Sequence, residues 1–171
     1  MQDANPFVQI QHLDGGSCRS TKILRGHKNE FIALRRQVHS NPELLFSVHV
    51  TAAPVERSLN DFGVDQVVAG RGRTGVVGVI KGATPGRTIG LRAGMDALPF
   101  PEESGLSSVS AKPGLMHACG HDGHTAMLLG AAKCLWEIRD FSRTAVVIFQ
   151  PAEEGGGGGR EMVEDGLMDR F

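Results

Sequence analysis

The chain has 171 residues, which suits one domain with a sizeable core. Its 18 Lys and Arg residues almost balance its 19 Asp and Glu residues, and the formal net charge is -1. This balance argues against nucleic acid or a membrane surface as a partner and favours small molecules. The three cysteines cannot all pair within one chain, so we expect a reducing, cytoplasmic setting.

The first third of the chain predicts an arm followed by two helices. Residues 1–26 have no hydrophobic period, which predicts an irregular N-terminal arm. From residue 27 apolar residues recur at helical spacing, and this helix should end near Asn41 because the next residue is a proline. A second amphipathic helix is predicted over 51–62, with Gly63 as its C-terminal signal.

The rest of the chain alternates strands with helices. β-branched and apolar runs predict strands at 64–68, 75–81, 88–93 and 143–150. Helical patterns cover 124–138 and 160–165. This order predicts an α/β fold, a three-layer sandwich with a largely parallel central sheet.

Potential metal ligands are densest just before the predicted helix at 124–138. Within eight positions the chain places His117, Cys119, His121, Asp122 and His124. Thiolate and imidazole together suit zinc and neighbouring divalent metals, so this motif predicts a metal site. The alternative is a helix capped by Asp122, with histidines that only lie on the surface.

Acidic residues follow two of the predicted strands. Asp96 comes after the strand at 88–93, and Glu153 and Glu154 come after the strand at 143–150. Sites in open α/β sheets form beyond the carboxyl ends of strands, so we expect these residues to converge on the metal motif. Neighbouring glutamates point in different directions, which would let one bind a metal while the other faces a water. The alternative is that both only solvate a turn.

Five consecutive glycines, 155–159, follow the two glutamates. No Gly-Lys-Ser/Thr sequence comes after them, so the chemistry of a phosphate-binding loop is missing. We interpret this run as a turn that brings the backbone close to the site.

Together these motifs resemble a family of metal-dependent amidohydrolases. The family includes hippurate hydrolase, N-acyl-L-amino acid amidohydrolases and auxin-conjugate hydrolases, and it is related to aminoacylase and carboxypeptidase G2. The matching stretches are 34–39 with 41–44, 91–99, 114–132 and 149–166. The resemblance implies a two-domain, homodimeric enzyme whose catalytic domain is metallopeptidase-like. Residues 27–171 would form the N-terminal part of that domain, with the dimerisation domain and the C-terminal remainder absent.

The resemblance also implies roles for single residues. Cys119, His121 and Glu154 are similar to the family's metal ligands, Glu153 to its general base, and Asp96 to an aspartate that orients a ligand. The implied cofactors are two divalent metal ions, zinc or manganese, with cobalt or nickel also compatible. The implied reaction is hydrolysis of the amide bond of an N-acyl amino acid.

The chain departs from the family pattern in two ways. Gly94 stands where the pattern has an aspartate, two positions before Asp96, and no histidine follows His124 although the family uses further histidine ligands downstream. We therefore expect hydrolysis to be impaired in this chain by itself. The alternatives are a non-catalytic metal-binding or interaction fragment of the family, or a related deacetylase or dipeptidase.

Overall fold

The computed structural model describes residues 18–171. Its elements in chain order are α1 (Arg19–Gly26), α2 (Lys28–Ser40), α3 (His49–Phe62), β1 (Gln66–Arg71), β2 (Gly75–Lys81), β3 (Thr84–Gly94), α4 (His121–Ile138), β4 (Ser142–Gln150), α5 (Gly158–Glu164) and α6 (Leu167–Arg170). In this part of the chain, no helix is both long and apolar enough to cross a membrane.

The four strands form one sheet in the order β1-β2-β4-β3. β3 and β4 run parallel, whereas β1 pairs antiparallel with β2 and β2 antiparallel with β4. The α/β class is confirmed, and the sheet is mixed across these four strands where a largely parallel one was expected. Only three residues separate β1 from β2, which is too short for the crossover that parallel neighbours need.

Helices cover both faces of the sheet, which confirms the three-layer arrangement. Val76 and Ile80 of β2 pack into a core with α3 and α4, together with Val147 and Phe149 of β4. The alternate residues of β2, beginning with Val77, face a second core that contains Met162 of α5 and Leu167 of α6. Burial on both faces explains the continuous apolar sequence of β2 and β4.

Helix α1 corrects the predicted arm. Arg19–Gly26 is helical, so the expectation of an irregular segment is wrong for these residues, while 1–17 lie outside the described part. Contacts with α4 hold this short helix: the Arg19 guanidinium donates to the Glu137 carbonyl at 3.2 Å. Such contacts depend on residues more than a hundred positions away, which a local hydrophobic period cannot reveal.

Particular residues fix the starts of two further helices. α4 begins at His121, three residues before the predicted start, because Gly120 adopts a left-handed conformation (φ 76°) that ends the preceding turn. The Glu43 carboxylate accepts hydrogen bonds from the backbone N–H of Val50 (3.1 Å) and Thr51 (2.8 Å) at the start of α3. A carboxylate there satisfies otherwise unpaired donors and complements the positive end of the helix dipole.

Candidate metal centre

The site begins where the parallel strands β3 and β4 end side by side. Gly94 pairs with Gln150 in the strand register, and the Met95 N–H donates to the Gln150 carbonyl at 2.9 Å. The segments that carry Asp96 and Glu153 therefore leave the sheet at the same edge. This is the convergence that the predicted strand ends indicate.

Asp96 connects the segments that meet at this edge. Its side chain is buried, and its two carboxylate oxygens accept the backbone N–H groups of Glu153 and Glu154, each at 3.0 Å. Its carbonyl oxygen accepts a hydrogen bond from His121 Nδ1 at 2.7 Å. Burial raises the pKa of Asp96, but the hydrogen bonds from His121 and the two backbone groups outweigh it, and the net pKa is lowered. Asp96 is therefore an ionised anchor at neutral pH.

His121 points its second nitrogen at both glutamates. Nδ1 donates to the Asp96 carbonyl, and Nε2 on the other side of the ring lies 3.7 Å from Glu153 Oε2 and 3.8 Å from Glu154 Oε1. Hydrogen bonding to Asp96 raises the pKa of His121, burial opposes this, and nearby negative charge adds to the rise. The ring is thus oriented by a carboxylate-bearing neighbour in the way that metal-ligating histidines usually are.

The arrangement fits a divalent cation. Within residues 18–171, His121, Glu153 and Glu154 form a group whose ligand atoms all lie within 4.8 Å of one another. Glu154 Oε1 is buried and has no hydrogen-bond partner in the described part of the chain. A buried carboxylate oxygen without a partner is costly, and a cation among these three side chains would satisfy it.

Cys119 lies outside this three-residue group. It is exposed, in the turn just before α4. The Glu154 carboxylate raises the pKa of the Cys119 thiol, and the negative charges of Glu153 and Asp96 act in the same direction. The thiol is therefore protonated at neutral pH and would become a ligand only when a cation displaces its proton.

The glycine run packs tightly behind the glutamates. A Cβ on Gly158 would lie 1.8 Å from the Pro151 carbonyl oxygen, so only glycine fits there. Ala152, buried between Pro151 and Glu153, has a left-handed backbone (φ 50°), which is strained for a residue with a side chain. These constraints fix where Glu153 and Glu154 follow β4. The interpretation of residues 155–159 as a turn holds for 155–157 only, because Gly158 and Gly159 begin α5.

A buried polar network that the sequence did not indicate lies beside the site. His39 of α2 donates from Nδ1 to Asp122 Oδ2 (2.9 Å) and from Nε2 to Glu102 Oε1 (3.1 Å), while the Arg35 guanidinium also contacts Asp122 (3.0 Å). Burial lowers the pKa of His39, but the hydrogen bonds to Glu102 and Asp122 outweigh it and the net pKa is raised. Glu102 and Asp122 lie 63 and 83 positions from His39, so no local spacing could have found these contacts.

The surface-histidine alternative is wrong for two of the three histidines in the motif. His117 and His121 are both buried, and burial lowers the pKa of His117 to about 4. Asp122 makes no capping hydrogen bond at the start of α4, and its Oδ2 instead accepts from His39 and Arg35. His124 alone is exposed.

This fold and centre place the chain among metallopeptidase-like α/β proteins. Residues 90–171, just under half of the chain, match the model of peptidase family M20/M25/M40. The resemblance drawn from the four motifs is thereby confirmed.

Curated relatives and solved structures match across most of the chain. Over 144 residues it is 49% identical to a hippurate hydrolase of Campylobacter jejuni, covering 84% of this chain and 37% of that protein. It is 46% identical over 144 residues to an N-acyl-L-amino acid amidohydrolase of Geobacillus stearothermophilus, covering 83% and 39%. The crystal structure of the Bacillus subtilis YXEP protein, described as a dinuclear metal-binding peptidase of family M20, matches with a TM-score of 0.80 at 37% identity. That match covers 85% of this chain and 41% of YXEP. The chain therefore spans about two fifths of the length of these relatives.

Proposed function

We propose that the protein formed by this chain hydrolyses the amide bond of N-acyl amino acids, using divalent cations held at the end of β3 and β4. The observation that carries the proposal is the convergence of His121 Nε2 on the carboxylates of Glu153 and Glu154. The names of the relatives, hippurate hydrolase and N-acyl-L-amino acid amidohydrolase, supply the substrate class.

The two glutamates differ in exposure, which supports different roles. The Glu154 side chain is 16% exposed and carries the buried, unpartnered oxygen, so we assign it as a ligand with His121. The Glu153 side chain is 38% exposed and reaches solvent at the same centre, so we assign it as the general base. A bound cation would lower the pKa of a water and polarise the amide carbonyl. Glu153 would take the proton of the water and return it to the departing amine.

The ligand set suggests which metals bind. The related YXEP protein is a dinuclear metal-binding peptidase, and Cys119 is our candidate for a further ligand beside Glu154 in this chain. Imidazole, carboxylate and thiolate ligands together favour zinc, and manganese, cobalt and nickel are also compatible with this set of ligands. We propose a small N-acyl amino acid as the only substrate class and a reducing, cytoplasmic setting, in keeping with the free thiols of Cys18, Cys119 and Cys134.

A non-catalytic cation-binding module is the second candidate. Gly94 favours it, because the resemblance implies a carboxylate at this position and glycine provides none. The two candidates make different predictions for the same measurements, since a module would bind a cation without turnover.

Substitution of the two glutamates tests the proposal. Glu153→Gln should lower the rate of hippurate or N-acetyl amino acid hydrolysis by ~10²- to 10⁴-fold, the usual contribution of a general base. Glu154→Gln should weaken zinc binding, measured by titration calorimetry, more than Glu153→Gln does. Glu164→Gln, at an exposed position of α5, is the matched control and should change neither quantity. Equal turnover in Glu153→Gln and wild type would refute the general-base role, and zinc binding without any turnover would favour the module.

A further inference from the structure

The two glutamates of the candidate centre are almost equally close to His121. Glu153 Oε2 lies 3.7 Å and Glu154 Oε1 lies 3.8 Å from His121 Nε2. Both side chains are carboxylates, and the two residues are adjacent in the chain. Distance to the imidazole therefore does not explain why one glutamate would bind a cation while the other acts as the base.

The two carboxylates differ in their other partners. Glu153 Oε1 lies 3.6 Å from Nη2 of Arg92, near the end of β3. Among the ion pairs of residues 18–171, Glu154 has no arginine or lysine partner, and its Oε1 has no hydrogen-bond partner. A cation that binds Glu154 therefore displaces no charged side chain, whereas a cation that binds Glu153 has to compete with a guanidinium group.

The Arg92 guanidinium is itself anchored to the sheet. Its Nε donates to Gln150 Oε1 at 2.8 Å, and Gln150 is buried at the end of β4. A Cβ on Gly159 would lie only 3.1 Å from the same amide oxygen, so the start of α5 leaves the Gln150 side chain little room to turn. A guanidinium group is planar and always charged, so a fixed Nε also sets the direction of Nη2. Arg92 is therefore a preorganised positive charge beside Glu153.

We propose that Arg92 is a positioning residue that gives the two glutamates different roles. It holds Oε1 of Glu153, and its positive charge disfavours a divalent cation at that carboxylate by repulsion. Oε2 stays directed at the centre, where it can accept the proton of a water, and Glu154 is left to bind the cation. This inference rests on the proposed cation site and deepens it. A half-exposed ion pair adds little to stability, so we assign Arg92 a role in the site rather than in the fold.

Zinc affinity in a double-substitution cycle tests this role without any turnover. In the wild type, Glu153→Gln should change the dissociation constant little, because Glu153 is not a ligand. Arg92→Gln should bind zinc more tightly than the wild type, because Glu153 can then turn to the cation. Adding Glu153→Gln to Arg92→Gln should weaken binding by at least ~10-fold, the lower end of the loss typical when the partner of a metal ligand is removed. Equal effects of Glu153→Gln in both backgrounds would overturn the proposal.

Two further substitutions separate the charge of Arg92 from a general disturbance of β3. Arg87→Gln removes the same charge from an exposed position of this strand, and Glu153→Gln should have as small an effect there as in the wild type. Arg92→Lys keeps a positive charge beside Glu153 without the planar fork, and it should restore most of the wild-type behaviour. If Arg92→Lys behaved like Arg92→Gln, charge would not be the cause and the proposal would be contradicted.

Kinetics measured beside zinc binding separate this inference from the proposed function. With an N-acetyl amino acid as substrate, Arg92→Gln should lower kcat and leave KM nearly unchanged, because it disturbs the base. A raised KM with unchanged kcat would assign Arg92 to substrate binding and refute the positioning role. The expected zinc cycle without turnover in the wild type would refute the proposed hydrolysis and leave the role of Arg92 standing. A wild type that binds no zinc would overturn both.

Discussion

At the scale of single residues, the site depends on one buried aspartate whose carboxylate and main-chain carbonyl hold two different segments. Asp96 uses both oxygens for the N–H groups of Glu153 and Glu154 and its carbonyl for His121. The side chains that face the proposed cation site are therefore oriented by a residue that need not contact the cation. Such an arrangement restricts the freedom of each ligand before binding, which favours affinity.

Replacement of Asp96 by asparagine should destabilise the fold. Asparagine has one acceptor oxygen, so its NH₂ group would face the N–H of either Glu153 or Glu154 and leave a donor unsatisfied. The cost of a buried unsatisfied group is ~1–3 kcal/mol, which a lower midpoint of urea unfolding would report. Asp169→Asn, at an exposed position of α6, provides the control. Equal midpoints for Asp96→Asn and wild type would contradict the anchoring role.

The sequence predicted the residues of the centre better than their contacts. His121, Glu153 and Glu154 stand in two short motifs, where residue type and strand position are local information, whereas Cys119 of the same motif lies outside the group they form. Their roles as ligands and base remain proposals. The contact of the His121 ring with Gly94 joins residues 27 positions apart and depends on how α4 packs against β3, so no spacing rule could predict it.

At the scale of elements, a buried ion network links α2 and α4 to the loop between β3 and α4. Glu102, in this loop, accepts hydrogen bonds from the hydroxyl of Ser104, the backbone N–H of Ser110 and His39 of α2. These hydrogen bonds lower the pKa of Glu102 from 4.5 to about 2. His39 donates to Glu102 and Asp122 together only when it is protonated, because a neutral ring has one N–H. The loop that leads to His117 is thereby tied to α2.

Stability should depend on pH through this network. The folded pKa of His39 is raised above 6.5, so its contribution is complete below pH 6.5 and is lost as pH rises through the folded pKa. The folded pKa of Glu102 is lowered, so its contribution is present above pH 4.5 and is lost as pH falls towards about 2. The network should therefore stabilise the fold most between about pH 4.5 and 6.5.

Urea unfolding between pH 5 and 9 of wild type and His39→Gln checks this expectation. The wild type should lose stability above pH 6.5 more steeply than the variant, because glutamine does not titrate. His49→Gln removes an exposed histidine instead and should keep the slope of the wild type. Parallel pH profiles for wild type and His39→Gln would show that protonation of His39 does not contribute to the free energy of unfolding.

The predicted elements agree with the structure where a local sequence pattern marks them. They differ where contacts between distant segments determine the structure. β2 and α3 are close to their predicted limits, since β-branched runs and a C-terminal glycine mark them in the sequence. α1 was missed because α4 stabilises it, and the sheet is mixed because strand direction follows from chain connections rather than from residue type.

At the scale of the whole molecule, the candidate centre lies where the ends of β3 and β4 meet the start of α4. Asp96 follows β3, His121 opens α4, and Glu153 and Glu154 follow β4. Binding of one cation to His121 together with Glu153 and Glu154, which Asp96 holds in place, is possible only in the folded chain. The cation should therefore act as a link between elements that are remote in sequence, and its binding energy should contribute to global stability.

Zinc should raise the free energy of unfolding in a way that depends on His121 and Glu154. For a ligand that binds only the folded state, the gain is ~2.7 kcal/mol when the free cation is at about 100 times its dissociation constant. The melting temperature should rise with added zinc and return to its starting value with a chelator. The rise should be lost in His121→Ala combined with Cys119→Ser, and smaller in Glu154→Gln than in Glu164→Gln. A rise of the same size in the double variant would place the bound zinc elsewhere on the molecule and exclude this centre as its site.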